Sequence, residues 1–291
     1  MAATVNLAPD WRDAWPAPAK INLFLHVVGR RADGYHLLQT VFLFLDQADW
    51  LRFSPRGDGR IELAAPLPGV PAEQDLTVRA ARALADATGC REGVTIAVDK
   101  RLPMGGGLGG GSSDAATTLI ALNRLWRCGL SKARLEEIGL ALGADVPIFI
   151  HGRSAFAEGV GERFTDVAPP AAWYLVLVPA LAVPTADIFR APDLRRDAPA
   201  IAPAAWRPGF GGNDLEAVAC RLHPEVARHL DWLRHWQGAG GAARMSGSGA
   251  CCFAEFATEA AARQAQAALP ADMRGFVARG LQKHPLADLT A

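Results

Sequence analysis

The segment LPMGGGLGGGSSDAATTLIALNRLW, residues 102–126, decides how the rest of the chain is interpreted. Six of the seven residues at 105–111 are glycine. Glycine in regular structure costs roughly 0.5–1 kcal/mol per residue relative to alanine, so ordering such a loop needs compensation. A strand-like segment, GVTIAVDK, precedes the loop, and a helix-like segment follows it. The order strand, glycine loop, helix predicts a loop that holds a ligand.

The start of a helix is suited to binding phosphate. About four backbone N–H groups there lack partners, and the end carries about half a positive charge. Glycines in front of it let the backbone approach an anion without interference from side chains. We therefore predict an oligophosphate site, with a flexible linker as the alternative. We place the helix at 113–126, with Ser112 and Ser113 at its start, Asp114 in its first turn and Gly129 beyond its end.

Three common phosphate loops do not fit this segment. Gly105, Gly107 and Gly110 match the dinucleotide pattern, but that pattern needs an acidic residue after the next strand. Here Glu136 and Glu137 fall inside a predicted helix. A Walker loop needs lysine before its serine or threonine, and this loop ends Gly-Ser-Ser. The His-Arg-Asp and Asp-Phe-Gly motifs of protein kinases do not occur.

Composition limits the choice of partners. The chain has 291 residues, with 30 basic and 30 acidic side chains, so we expect neither a nucleic-acid nor a membrane surface. Five cysteines without metal-like or redox spacing predict buried free thiols in a reducing cytosol. The first 15 residues resemble no signal peptide, and no apolar run reaches the roughly 20 residues of a membrane span. We expect a cytoplasmic protein.

The pattern along the chain predicts two lobes of mixed strands and helices. Two strands flank a turn at 32–34, and Lys20 and Asn22 lie on the polar face of the first. Further strands are predicted at 59–65, 93–100, 146–152, 173–178 and 274–281, and helices at 75–89, 131–143, 184–189 and 259–269. Residues 213–236 are predicted as a helix, a turn and a second helix, and 243–256 as a glycine-rich turn that runs into a strand. The stretch 193–208 is predicted as a surface loop. A Pro-rich boundary at 166–173 divides domains 1–168 and 169–291.

Four motifs carry a resemblance to a known family. PMGGGLGGGSSDAA at 103–116 resembles the phosphate loop of the GHMP kinase superfamily. PAKINLFLHVVGRRADGYH at 18–36 and MSGSGACCF at 245–253 resemble its companion motifs, and GADVPIFIHG at 143–152 adds a fourth match. The resemblance implies an α+β, two-lobed GHMP-kinase fold. It has an N-terminal ribosomal-protein-S5-like lobe, a C-terminal ferredoxin-like lobe and a site in the cleft between them.

The resemblance also implies an activity and a nucleotide site. We expect ATP-dependent phosphorylation of the 2-hydroxyl of a cytidine diphosphate methylerythritol in the non-mevalonate (MEP) route to isoprenoids, with Mg²⁺ as cofactor and a monomer or weak homodimer. No protein ligand to the metal is assigned. The expected nucleotide contacts are Pro103, Met104, Gly105, Gly106, Gly107, Leu108, Gly109, Gly110, Gly111, Ser112, Ser113 and, on the adenine side, Lys100. Because the loop should bind phosphate through its backbone, Gly107→Val is expected to weaken ATP binding while leaving thermal stability nearly unchanged.

Lys20 and Asp145 are the implied catalytic pair. Asp145 follows a predicted helix end and precedes Val-Pro, which stiffens the backbone there. The residues alone favour a surface lysine and a turn aspartate. The resemblance places both beside the accepting hydroxyl, which Asp145 would orient or deprotonate. Lys20 would keep Asp145 ionised and stabilise charge near the γ-phosphate.

The remaining implied site residues bind the substrate. Tyr35 and Phe189 would stack on the cytosine ring, and His36 would read its edge through hydrogen bonds. The further substrate contacts are Asn22, Thr185, Gly247 and Ser248.

One position departs from the family pattern, and one matched residue has no role. Asp75 stands where the family often has asparagine, so a nucleotide contact there is in doubt. Glu216 matches a family motif but has no assigned role. The alternatives are a kinase for homoserine, mevalonate or a sugar, and a catalytically inactive nucleotide sensor.

Overall fold

A computed structural model describes residues 10–236 and 243–290. Ten strands of these residues form one sheet, in which β3-β4-β2-β10-β7-β9-β8 is the main path and β1, β5 and β6 branch from β2. The strands are β1 Trp15–Arg30, β2 His36–Arg56, β3 Ile61–Leu63, β4 Gly93–Asp99, β5 Ala155–Glu158, β6 Arg163–Asp166, β7 Trp173–Leu177, β8 Arg244–Met245, β9 Cys252–Phe256 and β10 Gly275–Leu281. The helices are α1 Leu76–Thr88, α2 Gly110–Leu125, α3 Lys132–Leu142, α4 Val146–His151, α5 Thr185–Arg190, α6 Glu216–Leu222, α7 Pro224–His235 and α8 Glu259–Ala267.

The first lobe is built on the long antiparallel pair β1 and β2. Their predicted turn is confirmed, and Gly34 there has φ +93°. The polar face predicted for β1 is not exposed, because the glycine loop covers Lys20 and Ser246 of the second lobe contacts Asn22. Lys20 and Asn22 are each only 2% exposed. The pairing of β1 with β2 shifts register between Asn22 and Leu25. Leu25 lies opposite Thr40 of β2 and forms backbone hydrogen bonds with Gly212 and Asp214 of the second lobe.

Helix ends in the first lobe follow local chemistry. Asp75 caps α1 by accepting from the Thr77 N–H at 2.8 Å, and Gly89 ends the helix at φ +68°. Ser131 caps α3 by accepting from the Arg134 N–H at 3.3 Å. These helix limits are confirmed, since they depend on residues adjacent in sequence.

The start of α2 differs from the prediction. The helix begins at Gly110, inside the glycine loop, and its N-cap is Gly109 at φ +73°. The two serines therefore lie within the first turns and do not cap the helix, and Asp114 lies beyond the first turn. Gly109 has no side chain, so Lys20 and Phe149 can pack closely against it. The helix can therefore begin at Gly110, before the serines that were expected to start it.

The segment 146–152 was predicted as a short strand, and this is wrong. It forms the helix α4, with Pro147 in its first turn and Gly152 ending it at φ +77°. A short run that is apolar on all sides fits a buried strand or a buried helix equally well. Proline in a first turn favours the helix, since the missing N–H would be unpaired there anyway.

In the second lobe, α7 packs against β9, α8 packs against β7, β9 and β10, and α6 packs against α7. Its core includes Leu175, Leu177, Val226, Leu230 and Phe256, all buried. The predicted surface loop at 193–208 is only partly exposed, since Leu194, Ala198 and Trp206 are buried. All five cysteines are free, as predicted, but only Cys251 and Cys252 are fully buried.

The two lobes share the sheet and part of the first core. Gly280 and Leu281 at the end of β10 pair with Leu45 and Phe44 of β2. Beyond β10 the chain stays on the first lobe, where the His284 N–H donates to the Gly152 carbonyl at 3.0 Å. Leu286 belongs to the first lobe's core. The division into domains at 168/169 remains a prediction. The segment after β10 belongs to the second domain by that division, but it packs on the first lobe.

Candidate active site

Three segments meet at the cleft between the lobes: β1, the glycine loop 105–109 and the turn 245–251. The Lys20 N–H donates to the Leu108 carbonyl at 2.9 Å, and the Cys251 N–H to the Gly106 carbonyl at 3.0 Å. The Ser246 hydroxyl donates to the Gly107 carbonyl at 2.9 Å. The loop is therefore held in place mainly by its own carbonyl groups.

Gly107 shows why this loop needs glycine. Its φ is +75°, and a Cβ on it would lie 2.1 Å from the Ser246 carbonyl oxygen and 3.0 Å from that of Gly249. Glycine is thus required here because the two lobes pack closely together, in addition to any need for a ligand to approach the backbone. The expectation that a side chain here would leave stability unchanged is therefore wrong.

The loop and the start of α2 line a cavity of about 410 Å³. The first helical hydrogen bond runs from the Ser113 N–H to the Gly109 carbonyl, so the N–H groups of residues 110–112 have no partner inside the helix. Most predicted nucleotide contacts line this cavity: Lys100, Pro103, Met104, Gly105, Gly106, Gly107, Leu108, Gly109, Gly110, Gly111 and Ser112. Ser113 does not line it, and its buried Oγ has no hydrogen-bond partner.

Lys20 lies buried between the loop and α4. Its Nζ donates to Asn22 Oδ1 at 2.7 Å and to the Gly107 carbonyl at 3.1 Å. Nζ also lies 3.1 Å from Asp145 Oδ2 and 5.4 Å from the centre of the Phe42 ring. Three oxygen partners hold this buried ammonium group in a fixed position.

Asp145 is the exposed partner of that buried lysine. It occupies the N-cap position of α4 but makes no capping hydrogen bond. Its side chain is 38% exposed and lines a second cavity of about 340 Å³. The carboxylate is thus held by Lys20 on one side and open to a ligand on the other.

Three neighbouring cavities share lining residues. Ser112 lines the first and second, and Phe189 lines the second and a third cavity of about 650 Å³. Thr185 lines all three, and its hydroxyl lies 2.7 Å from that of Ser248. Lys20, Asn22, Asp145, Gly247 and Ser248 all line the second cavity. The cleft can therefore hold two ligands end to end, with Asp145 near the point where they meet.

The third cavity contains the predicted aromatic residues. Tyr35, His36 and Phe189 all line it, and Tyr35 is 64% exposed. The His36 and Phe189 rings lie 4.8 Å apart at 31°. Burial, then the charges of Arg196 and Arg30, lower the pKa of His36 below its usual value. The imidazole is neutral at pH 7 and available for hydrogen bonding.

Lys100 has partners that the sequence did not indicate. Its Nζ bonds to Asp49 Oδ2 at 2.5 Å and to Asp114 Oδ2 at 2.6 Å. Asp49 Oδ1 also accepts from the N–H groups of Arg101 and Leu102. Burial raises the pKa of Asp114 to about 7. Lys100 thus anchors the start of the loop to α2, besides lining the first cavity.

Asp75 also lines the first cavity, but its Oδ1 accepts from Thr77 and Val78 at the start of α1. A carboxylate can accept hydrogen bonds but cannot donate them, unlike the asparagine often found there. A nucleotide contact by Asp75 therefore stays in doubt, and the structure shows that Asp75 caps α1.

The turn 245–251 is held by residues that sequence reasoning left without a role. Asn213 Nδ2 donates to the carbonyls of Met245 and Gly247 at 2.8 and 2.7 Å. Glu216 accepts from the Met245 N–H at 3.0 Å and pairs with Arg234. Glu216 thus positions the turn that packs on Gly107. The motif that contains Glu216 is visible in the sequence, but its partner Met245 lies 29 residues further along the chain.

This geometry suits a particular kind of chemistry. An anion-binding helix start lies beside a carboxylate that a buried lysine orients. Phosphoryl transfer needs a phosphate site, a nearby cation and a group that orients the nucleophile. The fold and the site together fit a small-molecule phosphotransferase.

Two family models match the chain. The model of the GHMP kinases N terminal domain matches residues 75–153, and that of the GHMP kinases C terminal domain matches 194–275. Together they cover more than half of the chain, which therefore belongs to the GHMP kinases.

Relatives narrow the family further. The 4-diphosphocytidyl-2-C-methyl-D-erythritol kinase of Dechloromonas aromatica (strain RCB) is 62% identical over 276 residues, 95% of this chain and 100% of that protein. The enzyme of the same name from Thiobacillus denitrificans (strain ATCC 25259 / T1) is 60% identical over 94% of this chain and 98% of its own. Within the GHMP kinases, the chain belongs to this family.

Solved structures agree on the architecture. A crystal structure of 4-(cytidine 5'-diphospho)-2C-methyl-D-erythritol kinase has a TM-score of 0.76 and 38% identity, covering 92% of this chain and 99% of its own. A mevalonate kinase structure has a TM-score of 0.68 at 14% identity, over 93% and 100%. The second likeness concerns the fold alone. The α+β, two-lobed GHMP-kinase fold is confirmed.

Proposed function

We propose that this chain transfers the γ-phosphoryl group of ATP to the 2-hydroxyl of 4-diphosphocytidyl-2-C-methyl-D-erythritol, in the MEP route to isoprenoid precursors. The observation that carries the proposal is the row of three cavities, joined by Thr185, with Asp145 at the middle one. The names of relatives at 62% and 60% identity support it.

The two substrates enter from opposite ends of the cleft. ATP occupies the first cavity, with its β- and γ-phosphates at the unpaired N–H groups of residues 110–112. The alcohol occupies the second cavity, and the cytosine base the third. Tyr35 and Phe189 stack on the base, and His36 reads its edge. Asn22, Thr185, Gly247 and Ser248 contact the parts between.

Asp145 and Lys20 act on the accepting hydroxyl. Asp145 orients the hydroxyl and accepts its proton as the oxygen–phosphorus bond forms. Because the transition state is loose, little negative charge builds on the attacking oxygen, and an ordinary carboxylate suffices. Lys20, 3.1 Å from Asp145, holds the carboxylate in place and puts a fixed positive charge near the transferred group.

Mg²⁺ accompanies ATP in this proposal. It prefers oxygen ligands, keeps several waters, and is often held by one or two carboxylates together with substrate phosphates. Ser112 and Asp145 both line the second cavity and offer such oxygens. The ion would neutralise phosphate charge there. No cluster of three or more His, Cys, Asp or Glu side chains suited to a metal occurs in residues 10–236 and 243–290.

Location and assembly are also proposals. We propose a cytoplasmic monomer or weak homodimer that acts on small molecules. The zero net charge favours neither a nucleic-acid nor a membrane surface. Among the described residues, no helix is long and apolar enough to cross a membrane.

The deciding experiment compares acceptors with ATP and Mg²⁺. We expect phosphorylation of 4-diphosphocytidyl-2-C-methyl-D-erythritol at its 2-hydroxyl, located by phosphorus NMR, and none of mevalonate or homoserine. Preference for mevalonate or homoserine would replace the proposal with another GHMP kinase activity. ATP binding without transfer to any of the three would indicate a nucleotide sensor.

A further inference from the structure

Arg196 connects the base cavity to the second lobe. It lies in the segment between α5 and the short 3₁₀ helix Pro203–Ala205. Its Nε donates to Nε2 of His36 at 3.1 Å. Its Nη2 donates to the carbonyls of Phe189 and Ala191 at 3.0 and 2.8 Å, and Nη1 to that of Leu194 at 2.9 Å. One guanidinium thus holds the histidine at the start of β2 and the backbone around the cavity's phenylalanine.

The bond to His36 determines where the imidazole proton lies. A guanidinium can only donate hydrogen bonds, and it stays protonated in proteins. Nε2 of His36 must therefore offer its lone pair to Arg196. In the neutral ring the proton then lies on Nδ1, an assignment that follows from the donor beside Nε2. Burial and then the charge of Arg196 lower the pKa of His36, which agrees with a neutral ring beside the guanidinium.

We propose that Arg196 is a positioning residue for base specificity, because it fixes His36 as a hydrogen-bond donor and so makes the site select a cytosine base over uracil. This inference rests on the proposed cytidine substrate. His36 lines the third cavity, and its Nδ1–H is the ring group left to bond a ligand there.

The two bases differ at the ring nitrogen between the exocyclic groups. Cytosine has an unprotonated N3, which accepts a hydrogen bond from Nδ1–H. Uracil has N3–H, which would face Nδ1–H donor against donor. A site built around a required hydrogen bond rejects a base that leaves its polar groups unpaired. Stacking alone tolerates either base, because both have a π-face. The tautomer of His36 therefore distinguishes cytosine from uracil, which stacking on Tyr35 and Phe189 does not.

The test compares Arg196→Met with the matched control Arg195→Met. Arg195 is an exposed neighbour whose side chain contacts Asp197 at 3.3 Å, outside the three cavities. The measurement is the ratio of kcat/KM for the cytidine substrate to kcat/KM for its uridine analogue. We expect Arg196→Met to lower this ratio about 10-fold, which corresponds to the loss of one hydrogen bond's discrimination. We expect Arg195→Met to leave it unchanged.

The outcomes separate the claims. An active Arg196→Met with the wild-type ratio would overturn the positioning role. If that variant does not fold, ¹⁵N NMR of the His36 ring in the unsubstituted protein still tests the tautomer. A proton on Nε2 would overturn the inference, whereas a proton on Nδ1 supports it. If the wild-type protein does not phosphorylate the cytidine substrate, the proposed function is overturned, and so is the base selectivity proposed for Arg196. The NMR result still tests the Arg196–His36 hydrogen bond by itself.

Discussion

The two ends of the cleft are built by different means. At the phosphate end, backbone groups of the glycine loop contact the turn 245–251, and a single Cβ at Gly107 would lie 2.1 Å from a carbonyl oxygen. At the base end, side chains form the cavity, and Tyr35 is 64% exposed. Binding and stability are therefore linked at the phosphate end. At the base end, side chains can change specificity with little effect on the fold.

The largest expected effect lies between the two ends, at Asp145. Asp145→Asn keeps the size of the side chain but removes its charge and its basicity. We expect kcat to fall about 10²–10⁴-fold, the usual contribution of a general base, with ATP binding retained. The control is Asp86→Asn on the exposed side of α1. Turnover within a factor of about three of wild type would remove Asp145 from the chemistry.

Gly107→Ala tests the link between stability and binding at the phosphate end. A positive φ and the contact with Ser246 both oppose a side chain, so we expect a loss of about 2–4 kcal/mol in unfolding free energy together with weaker ATP binding.

The matched control for Gly107→Ala is Gly129→Ala. Gly129 has φ +68°, but nothing lies within 4 Å of the added Cβ. It should show only the backbone strain, about 1–2 kcal/mol, with ATP binding unchanged. Urea unfolding and ATP titration of both variants give the comparison. Equal losses in the two variants would mean that the loop is not clamped by the turn.

Phe189→Ala tests the base end. Loss of one stacking surface should cost about 1–3 kcal/mol of substrate binding, seen as a higher KM for cytidine and uridine substrates alike. His36→Ala should instead lower the preference for cytidine. Steady-state kinetics with both substrates distinguish the two roles. If Phe189→Ala changed the preference and His36→Ala did not, the roles assigned to stacking and edge reading would have to be exchanged.

The smallest expected effect concerns a buried histidine away from both ends. Nδ1 of His284 accepts from the Leu286 N–H at 3.0 Å, and burial lowers the pKa of His284 to about 3. Between about pH 6.5 and 3 the unfolded chain binds a proton there that the folded protein excludes. Stability therefore falls as pH drops, by about 1.4 kcal/mol per unit.

The measurement for His284 is the unfolding free energy at pH 7 and pH 5.5. The decrease in wild type should exceed that in His284→Gln by about 1 kcal/mol, because glutamine does not titrate. Identical decreases would show that His284 is protonated in the folded state.

Sequence reasoning succeeded where the causes are local. The ends of α1 and α3 follow from Asp75, Gly89 and Ser131, which act on neighbouring residues. The start of α2 and the helix α4 were missed because tertiary packing around Gly109 and burial of the 146–151 segment decide them.

The candidate site was less accessible from sequence. Lys20 and Asp145 were paired through the family resemblance, and the 3.1 Å contact joins residues far apart along the chain. The anchoring of Lys100 by Asp49 and Asp114, and the donor at His36, depend on such distant contacts too. Patterns of neighbouring residues carry no information about them.

The return of residues after β10 to the first lobe has a consequence for biosynthesis. Leu281, Leu286 and Leu289 pack on the core of the first lobe, yet the ribosome makes them after the whole second lobe. Domains generally fold as units, N-terminal first, during synthesis. Here the first lobe emerges with part of its core missing, and its β2 lacks the pairing that β10 later supplies. The nascent first lobe must therefore wait for the second before it reaches its final stability.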